Sequence, residues 1–304
     1  MTDNRMKIII CSGEKDSIGP EVTEKALLSL YDKSSLRLNE FKFEIYGPKE
    51  KFSKRALGLF ELSEPGNALD FVREAVEQQL SGKAHAMVTG PIDKLRWAKV
   101  LPGFLGHTGY LGQLCGHEDE PLMAFVGGKM IVSPLTIHLP FKEVPNSINI
   151  DFLEKKIFLC VKLLEDIKKS KKVRLAVCGL NPHASDKGLM GDEEEKFISP
   201  AIKLVQDKFP EAEITGPLPG DTAFFKAFME DEHDMVAAIY HDQALAPFKL
   251  LHFYDGVNIT YGLPIIRTSV DHGTAYELAG KGAADHRSME NAILWAMRLA
   301  SQKK

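Results

Sequence analysis

The chain has 304 residues, of which 38 are Lys or Arg and 42 are Asp or Glu, so its formal net charge is −4. Hydrophobic residues make up 44% and charged residues 26%, values that exclude a wholly disordered chain and are typical of a globular one. The slightly acidic balance also excludes a nucleic-acid carrier, because no general excess of Lys and Arg is available to neutralise phosphates. The length suits about two domains or one large α/β unit.

The apolar runs and the cysteines indicate a protein of the cytoplasm. The longest apolar runs, such as residues 6–11 and 236–240, are too short to cross a bilayer, and no charged-then-apolar leader opens the chain. Four cysteines show no paired spacing, and three of them lie in apolar surroundings, as reduced core thiols do. They are Cys11, Cys115, Cys160 and Cys178. We therefore expect a cytoplasmic enzyme that contacts no membrane.

Strand-like apolar runs alternate with stretches of helical period, which is typical of an α/β fold with a largely parallel sheet. In the first half, the pattern predicts strands at 6–12, 41–46 and 84–89 and helices at 18–31 and 69–80. Two strand-like runs within 122–139, around Gly127-Gly128, predict a hairpin instead of a crossover.

The second half continues the alternation. It predicts strands at 174–180, 213–216 and 235–241 and helices at 151–167, 193–208, 222–229 and 289–300. Because the hairpin interrupts the alternation, we expect two interleaved α/β domains with a cleft between them. One consists of residues 1–120 and 245–304, and the other of residues 121–244.

Three histidines follow predicted strands directly: His138, His183 and His241. Open α/β sheets bind ligands at the carboxyl ends of their strands, so these positions favour a site. Three neutral imidazoles from separate strand ends suit a borderline divalent ion with positions left open for substrate. The spacings are long and irregular, and each histidine could instead cap a strand or hydrogen-bond a loop backbone.

A second group of side chains has the chemistry of an anion site. Lys249, Asn258 and Arg267 combine a compact cation, an amide and a planar donor fork, which suit a phosphate or carboxylate. His107 and Thr108 add donors on a glycine-flanked loop that a ligand can approach closely. The alternatives are surface charges for the two cations and a plain turn for the loop.

The usual Gly-x-Gly-x-x-Gly dinucleotide fingerprint is missing after the first strand. If a nucleotide binds, the candidate segment is Asp271–Ala275 followed by Ala279–Gly282, a glycine-bearing loop that leads into a short helix.

At this point the motifs converge on one family. They span nearly the whole chain in the family's order: Ile18–Glu21, Thr89–Lys94, Gly106–Thr108, Thr136–Pro140, Gly179–Ala184, Gly216–Pro219 with Asp221-Thr222, Tyr240–Gln243, Gly256–Thr260, Gly262–Val270 and Asp271–Ala275. On these residues the chain closely resembles the 4-hydroxythreonine-4-phosphate dehydrogenases, which are NAD-dependent enzymes of pyridoxal phosphate biosynthesis. The resemblance implies a fold like that of isocitrate and isopropylmalate dehydrogenases, with the active site at a homodimer interface.

The resemblance also assigns roles to residues. It implies metal binding by His138, His183 and His241, with zinc, magnesium or cobalt as the ion. It implies substrate binding by five residues: His107, Thr108, Lys249, Asn258 and Arg267. The segment from His272 to Gly282 is similar to the loop that holds the adenosine part of the cofactor, NAD or NADP. We expect His272, Gly273, Thr274 and Gly280 to contact it.

The implied reaction is the oxidation and decarboxylation of 4-phosphooxy-L-threonine to 3-amino-2-oxopropyl phosphate. Asp242 and Lys94 are candidates for proton handling, although Asp242 is equally suited to orienting His241. The chain departs from the family in one visible place, because Gly13–Ser17 replaces the usual Gly-Asp-Pro-Ala-Gly. Relatives that act on phosphorylated four-carbon sugar acids share the same motifs, so 4-phospho-threonate or 4-phospho-erythronate is the alternative substrate.

Two rivals belong to other functional classes. Phosphate acetyltransferases share a related fold, but acyl transfer to phosphate does not require a three-histidine metal site. A phosphoester sensor would retain the phosphate-binding residues without catalysis, and three retained metal-site histidines argue against it.

Overall fold

A computed structural model of the chain describes residues 3–101, 103–104, 106–117 and 121–302. The chain divides into two compact units, one of Met1–Pro121 with Tyr254–Lys304 and the other of Leu122–Phe253. The second boundary lies nine residues beyond the expected one, at 254 instead of 245. The reason is that one continuous helix, His241–His252, packs on strands of the second unit and carries the chain past residue 245.

The elements of the first unit's leading segment alternate as expected. They are β1 (Met6–Cys11), α1 (Gly19–Asp32), β2 (Phe41–Tyr46), α2 (Lys54–Leu59), β3 (Glu61–Ser63), α3 (Ala68–Leu80), β4 (Ala86–Thr89), α4 (Lys94–Val100) and α5 (His107–Leu114).

The second unit then contains β5 (Leu122–Gly127), β6 (Met130–Pro134), α6 (Val144–Ser147), α7 (Ile150–Lys168), β7 (Arg174–Cys178), α8 (Ser199–Lys208), β8 (Glu213–Leu218), α9 (Gly220–Phe228), β9 (Met235–Ala238) and α10 (His241–His252). A single π-helical turn, Glu194–Ile198, leads into α8. The chain returns to the first unit with β10 (Val257–Tyr261), β11 (Arg267–Val270) and α11 (Arg287–Gln302).

Local sequence signals explain where several helices begin. Asn67 caps α3 in a reciprocal capping box with Asp70, and the Asn149 side chain accepts from the Phe152 N–H at the start of α7. The final helix, α11, buries Met289, Ala292, Ile293 and Ala296 at helical spacing, so one apolar face covers the sheet of the first unit.

The strands of the first unit lie in the order β3-β2-β1-β4-β11-β10. All neighbours are parallel except β10, which runs antiparallel to β11. Because β1, β4 and β11 are adjacent and parallel, their carboxyl ends share one edge of the sheet. The segments after these strands are joined by backbone bonds, since Ile18 donates to Thr274 over 3.0 Å and Glu14 donates to Pro91 over 3.0 Å.

The strands of the second unit lie in the order β5-β6-β9-β7-β8. The predicted hairpin is confirmed, because β5 and β6 pair antiparallel and Gly128 turns between them with φ 53°. The remaining neighbours are parallel, so β6, β9 and β7 end at one edge. The α/β fold expected from the alternation is therefore confirmed in both units.

Other expectations need correction at particular elements. The strand predicted over 235–241 ends at Ala238, because His241 already begins α10. Helices α4, α5 and α10 and strands β10 and β11 were not among the predicted elements. None of the helices in the described ranges combines the length and apolar character needed to span a membrane.

Candidate active site

The three predicted metal ligands follow three neighbouring parallel strands of the second unit. His138 comes after β6, His241 after β9 and His183 after β7, and β9 pairs with both of the others. Parallel neighbours end at the same edge of a sheet, so the fold brings the three histidine-bearing segments to one edge.

Two of these histidines are close together. The His138 and His241 ring centroids are 6.0 Å apart. Two imidazoles that share one zinc ion, with Zn–N distances of about 2.1 Å, have centroids roughly 4.5–5.5 Å apart, so this pair is near a ligating arrangement. In the part of the chain that the structure describes, no three His, Cys, Asp or Glu side chains form a complete ligand set. The His138–His241 pair therefore has the donors and the proximity that suit a metal, whereas His183 does not complete a ligand set with it among the described residues.

The backbone around His183 is left-handed. His183, Ala184 and Ser185 have φ of 53°, 51° and 65°, and His138 has φ 53°. Such conformations cost side-chain-bearing residues about 1–3 kcal/mol and persist where surrounding contacts impose them. Residues in this left-handed conformation cluster at functional sites. Here they lie at the same edge of the sheet as the three histidines.

An amide and two carboxylates hold the His183 turn. The backbone N–H of Asn181 donates to Oε1 of Glu194 over 2.7 Å. The side-chain Nδ2 of Asn181 donates to Glu193 over 2.7 Å and to Oε2 of Glu194 over 2.9 Å. Glu194 is only 3% exposed and lies in the π-helical turn before α8. These two glutamates were not among the predicted site residues, because in sequence they resemble the charged start of a helix.

Asp242 contacts His241 directly, with 2.7 Å between its Oδ1 and the Nδ1 of the imidazole. A carboxylate can only accept here, so this contact places the imidazole proton on Nδ1 and leaves Nε2 as the free ring acceptor. Of the two roles considered for Asp242, this geometry supports orientation of His241.

Most of the predicted anion-binding residues lie in the first unit, around Arg267. Its guanidinium is 2% exposed and donates to the Thr89 hydroxyl from Nε over 3.0 Å and from Nη2 over 2.7 Å. Nη1 donates to the Thr260 hydroxyl over 2.9 Å. Among the described residues no carboxylate contacts it, and burial lowers its pKa to about 9. A buried cation with only neutral partners is strongly suited to an incoming anion.

His107 lies against this guanidinium, with 3.3 Å between Arg267 Nη2 and His107 Nδ1. Burial, reinforced by the Arg267 and Lys94 cations, holds the pKa of His107 well below its ordinary value of 6.5, so the ring is neutral. A guanidinium only donates, so Nδ1 accepts and the proton lies on Nε2. That Nε2 is buried and has no hydrogen-bond partner within the described ranges.

The other predicted substrate residues, and the proton-handling candidate Lys94, are divided between the two units. Asn258 faces Ser269 across the β10–β11 ladder, and its buried Oδ1 has no partner among the residues described. Thr108 is buried in the first turn of α5. Lys94 lies beside Gly106, where an added Cβ would approach its Cε to 3.2 Å. Lys249 belongs to the second unit, on α10, with its ammonium 5.5 Å from the Phe253 ring centroid.

The predicted cofactor segment follows β11 and is held by α1. The Thr274 carbonyl accepts from Ile18, and the Glu21 carboxylate accepts from the Gly282 and Ala284 N–H groups over 3.3 and 3.1 Å. Gly280 has φ 73°, and Cβ atoms added at Gly273 or Gly280 would meet open space. His272 lies beside Gly273, with 3.0 Å from its Nδ1 to that carbonyl oxygen.

The sequence analysis did not identify Thr89, Thr260 or Glu21 as site residues. Thr89 and Thr260 look like ordinary strand residues, and the helix N-terminus alone accounts for an acidic residue at Glu21. Only the strand register, with Arg267 opposite both Met87 and Thr260, shows that the threonines surround the guanidinium.

The chain is similar to known proteins over most of its length. A 4-hydroxythreonine-4-phosphate dehydrogenase of Desulfosudis oleivorans is 46% identical over 239 residues, which cover 78% of this chain and 70% of the relative. A D-threonate 4-phosphate dehydrogenase of Pectobacterium atrosepticum is 38% identical over 229 residues, covering 75% and 69%.

Solved structures show the same fold. The crystal structure of a 4-hydroxythreonine-4-phosphate dehydrogenase from Burkholderia phymatum matches with a TM-score of 0.78 at 31% identity, covering 98% of this chain and 99% of that one. A β-decarboxylating dehydrogenase from Thermococcus kodakarensis, 15% identical, matches with a TM-score of 0.58 over 97% of this chain and 84% of its own, and shares the fold alone. The family model described as pyridoxal phosphate biosynthetic protein PdxA matches residues 23–296. The chain therefore belongs to the PdxA family.

Proposed function

We propose that this chain oxidises and decarboxylates 4-phosphooxy-L-threonine to 3-amino-2-oxopropyl phosphate in pyridoxal phosphate biosynthesis. One observation carries the proposal furthest: the buried Arg267 guanidinium has hydroxyl and imidazole partners but no carboxylate among the described residues. Membership of the PdxA family supports an oxidoreductase, and a phosphorylated acid supplies the anion that this guanidinium lacks.

The substrate phosphate is proposed to bind at Arg267 and His107. Arg267 supplies the positive charge, and the protonated Nε2 of the neutral His107 ring supplies a further donor. Thr108 and Asn258 contribute a hydroxyl and an amide from the same unit, and Lys249 is proposed as a second cation. Neutral donors beside one buried cation bind a phosphate without requiring a second buried charge at the same point.

His138, His183 and His241 are proposed to hold the divalent ion, which is zinc, magnesium or cobalt, and Asp242 orients the His241 ring for it. His272, Gly273, Thr274 and Gly280 are proposed to contact the NAD or NADP cofactor. When bound, the ion supplies a Lewis acid near the substrate hydroxyl, and the cofactor supplies the hydride acceptor.

The chain itself must move protons and hold the substrate. During oxidation, the substrate C3 loses a hydride and its hydroxyl loses a proton, for which the Lys94 amine is a candidate acceptor. Lys94 fits because its ammonium, on α4, acts electrostatically on His107 and makes no hydrogen bond or ion pair among the described residues. After CO₂ leaves C2, that carbon takes up a proton, and the Lys94 ammonium formed in the first step is suited to donate it.

We also propose that the enzyme acts as a homodimer in the cytoplasm, with the active site at the dimer interface. Exposed apolar side chains beside two of the predicted metal ligands support a partner, namely Leu139 and Phe141 near His138 and Leu189 near His183. All four cysteines are free thiols, which suits a reducing compartment.

A phosphorylated four-carbon sugar acid, D-threonate 4-phosphate or its erythronate counterpart, is the second candidate substrate. The relative from Pectobacterium atrosepticum, which is named for D-threonate 4-phosphate, favours it. The two substrate classes differ at C2, which carries an amine in one and a hydroxyl in the other.

A substrate panel tests the proposal. The purified protein, NAD and Mg²⁺, Zn²⁺ or Co²⁺ are mixed with 4-phosphooxy-L-threonine, D-threonate 4-phosphate, D-erythronate 4-phosphate and the dephosphorylated forms, and NADH absorbance is followed. We expect the highest kcat/KM with 4-phosphooxy-L-threonine. A higher value with a sugar acid would select the alternative, and activity only on dephosphorylated acids would contradict both.

A further inference from the structure

We propose that a cavity in the first unit binds a small organic cation that carries two ammonium groups. The cavity has a volume of about 440 Å³ and lies between helix α3 and strands β1, β2 and β3. Sites for small molecules commonly measure about 300–1,000 Å³. The lining includes none of the predicted metal, substrate, cofactor or proton-handling residues, so the proposal does not rest on the proposed function.

The pattern of β2 puts polar side chains on the face of the sheet that borders the cavity. The sequence Phe-Lys-Phe-Glu-Ile-Tyr alternates, so Glu44 and Tyr46 lie on the face opposite to that of the three apolar residues. The strand register adds Ser63 of β3, which pairs with Tyr46, and Lys7 of β1, which pairs with Lys42. The Ser63 hydroxyl donates to Glu44 over 2.6 Å, which ties the two outer strands together on this face.

Helix α3 forms the other side of the cavity. It packs chiefly on β1 and β4, with Phe71, Val72 and Ala75 in the core. Glu74 and Gln78, one helical turn apart, line the cavity from the helix. The Gln78 amide donates to the Glu74 carboxylate over 2.8 Å, so the helix presents an oriented carboxylate to the cavity.

The charges that line the cavity are three carboxylates and one ammonium. The Lys7 ammonium forms an ion pair with Glu44, so these two charges offset each other. Glu74 accepts from Gln78 and forms no ion pair within the described ranges, and the same holds for the exposed Glu64. Two negative charges therefore lack a cation, and this excess favours a cationic ligand over an anionic or neutral one.

Tyr46 is the independent observation that points to a ligand. Its side chain is 3% exposed, yet its hydroxyl makes no hydrogen bond to any residue that the structure describes. Burial, and then the carboxylates of Glu44 and Glu74, raise the pKa of Tyr46, so the group is a neutral phenol near two carboxylates of the cavity wall. A buried hydroxyl without a partner costs free energy, and a ligand N–H that donates to its oxygen removes that cost.

A bare divalent ion fits this cavity less well than an organic cation. Such an ion needs several ligands around one point, and no three His, Cys, Asp or Glu side chains are gathered in that way among residues 3–101, 103–104, 106–117 and 121–302. The Lys7 ammonium in the wall also repels it. A diamine instead carries its two charges on separate atoms, which can reach Glu74 and Glu64 individually.

Calorimetric titration of the full chain with 1,4-diaminobutane, in an amine-free buffer of low ionic strength, tests the proposal. We expect a dissociation constant below about 1 mM for wild type. Glu74→Gln should weaken binding about 10–100-fold and Tyr46→Phe about 2–10-fold, because the first loses a charge-assisted hydrogen bond and the second a neutral one. Glu77→Gln, at an exposed position of α3 outside the cavity lining, is the matched control and should bind as wild type does. Glu64→Gln changes an exposed residue, which folding tolerates, and should also weaken binding.

Urea unfolding supplies a second readout. Tyr46→Phe should unfold at the same urea concentration as wild type or a higher one, because it removes a buried hydroxyl that has no partner among the described residues. Added 1,4-diaminobutane should stabilise wild type and not Glu74→Gln. The proposal would be overturned by absence of diamine binding, by equal binding in wild type and Glu74→Gln, or by equally tight binding of Mg²⁺ or uncharged 1,4-butanediol. A lower unfolding midpoint for Tyr46→Phe would also overturn it, because the hydroxyl would then stabilise the fold by itself.

Discussion

Arg267 donates to the imidazole of His107 over 3.3 Å in the interior of the first unit. This contact bears on the protonation of the imidazole and on the charge of the guanidinium. Burial, reinforced by the guanidinium, lowers the pKa of His107 and keeps the ring neutral, and the contact fixes the ring proton on Nε2. The neutral ring leaves the buried positive charge uncompensated. Together they form a site with one positive charge and one unused buried donor, which is the complement of a phosphate or carboxylate oxygen.

Substitution of Arg267 should remove the preference for phosphorylated substrate. A charge-assisted hydrogen bond contributes about 1.5–3 kcal/mol, so Arg267→Ala should raise KM for 4-phosphooxy-L-threonine about 10–100-fold. Arg267→Lys keeps a charge but loses the fork that reaches Thr89 and Thr260, and should also impair binding. The control is Arg287→Lys, because Arg287 forms an exposed ion pair with Asp285.

The measurement compares kcat/KM for phosphorylated and unphosphorylated 4-hydroxythreonine in each variant. Lys249→Ala is expected to lose part of the same preference. An undiminished preference in both Arg267→Ala and Lys249→Ala would mean that neither cation recognises the phosphate.

Acid should destabilise the wild-type protein partly through His107. Its pKa in the folded state lies well below 6.5, so as pH falls below about 6.5 the unfolded chain takes up a proton that the folded chain refuses. Stability that is present above the unfolded-state pKa is therefore lost towards lower pH, at up to about 1.4 kcal/mol per pH unit for one group.

Urea unfolding of wild type and His107→Asn between pH 7 and about 5 tests this. The variant should lose less free energy of unfolding over that interval. His286→Asn is the control, because His286 is a half-exposed residue that precedes α11. Parallel pH profiles for wild type and His107→Asn would show that the folded ring protonates normally.

Each of the three predicted metal ligands should be required for the bound ion. His138→Ala, His183→Ala and His241→Ala should each lose most of the divalent metal while folding normally, because all three side chains are at least partly exposed and do not pack in a core. Metal content and circular dichroism of the purified variants are compared with those of His286→Ala. Full occupancy in all three variants would refute the assignment of the ligands.

The divergent loop Gly13–Ser17 has a structural role at Glu14. This carboxylate is 3% exposed, accepts from the indole N–H of Trp97 and from Arg96 Nη1 over 3.1 Å, and so fixes α4. Glu14→Ala leaves a buried indole N–H without an acceptor and should cost about 1–3 kcal/mol in free energy of unfolding.

Asp16→Ala, at an exposed position of the same loop, should change it by no more than about 0.5 kcal/mol. Thermal and urea unfolding of both variants decide the matter. Equal stabilities would mean that the Glu14 contacts contribute nothing to folding.

Sequence periodicity predicted elements whose apolar residues recur regularly along the chain. Strand β1 and helix α7 have apolar patterns long enough to identify their type, and the Gly127-Gly128 turn marks the hairpin between β5 and β6. Helix α10 was not predicted, because Pro247 lies in its middle and His241 looks like the end of a strand. Strands β10 and β11 have only five and four residues, too few to show a period.

Site residues could be proposed from the sequence where one residue carries the chemistry by itself. Arg267, His107 and the three histidines at strand ends stand out by residue type and position. Thr89, Thr260 and Glu194 do not, because their contacts with the candidate site residues come from strand register and from segments brought together by the fold. A hydroxyl or an amide becomes part of a site only through what the fold places beside it.

The central claim is that this chain couples oxidation of a phosphorylated four-carbon acid to loss of CO₂. The most direct test is to incubate wild-type protein, NAD and a divalent ion with 4-phosphooxy-L-threonine and to quantify NADH, CO₂ and 3-amino-2-oxopropyl phosphate together. The account predicts equal amounts of all three, abolished by His241→Ala and strongly reduced by Arg267→Ala. NADH without CO₂, or no NADH from any phosphorylated four-carbon acid, would contradict it.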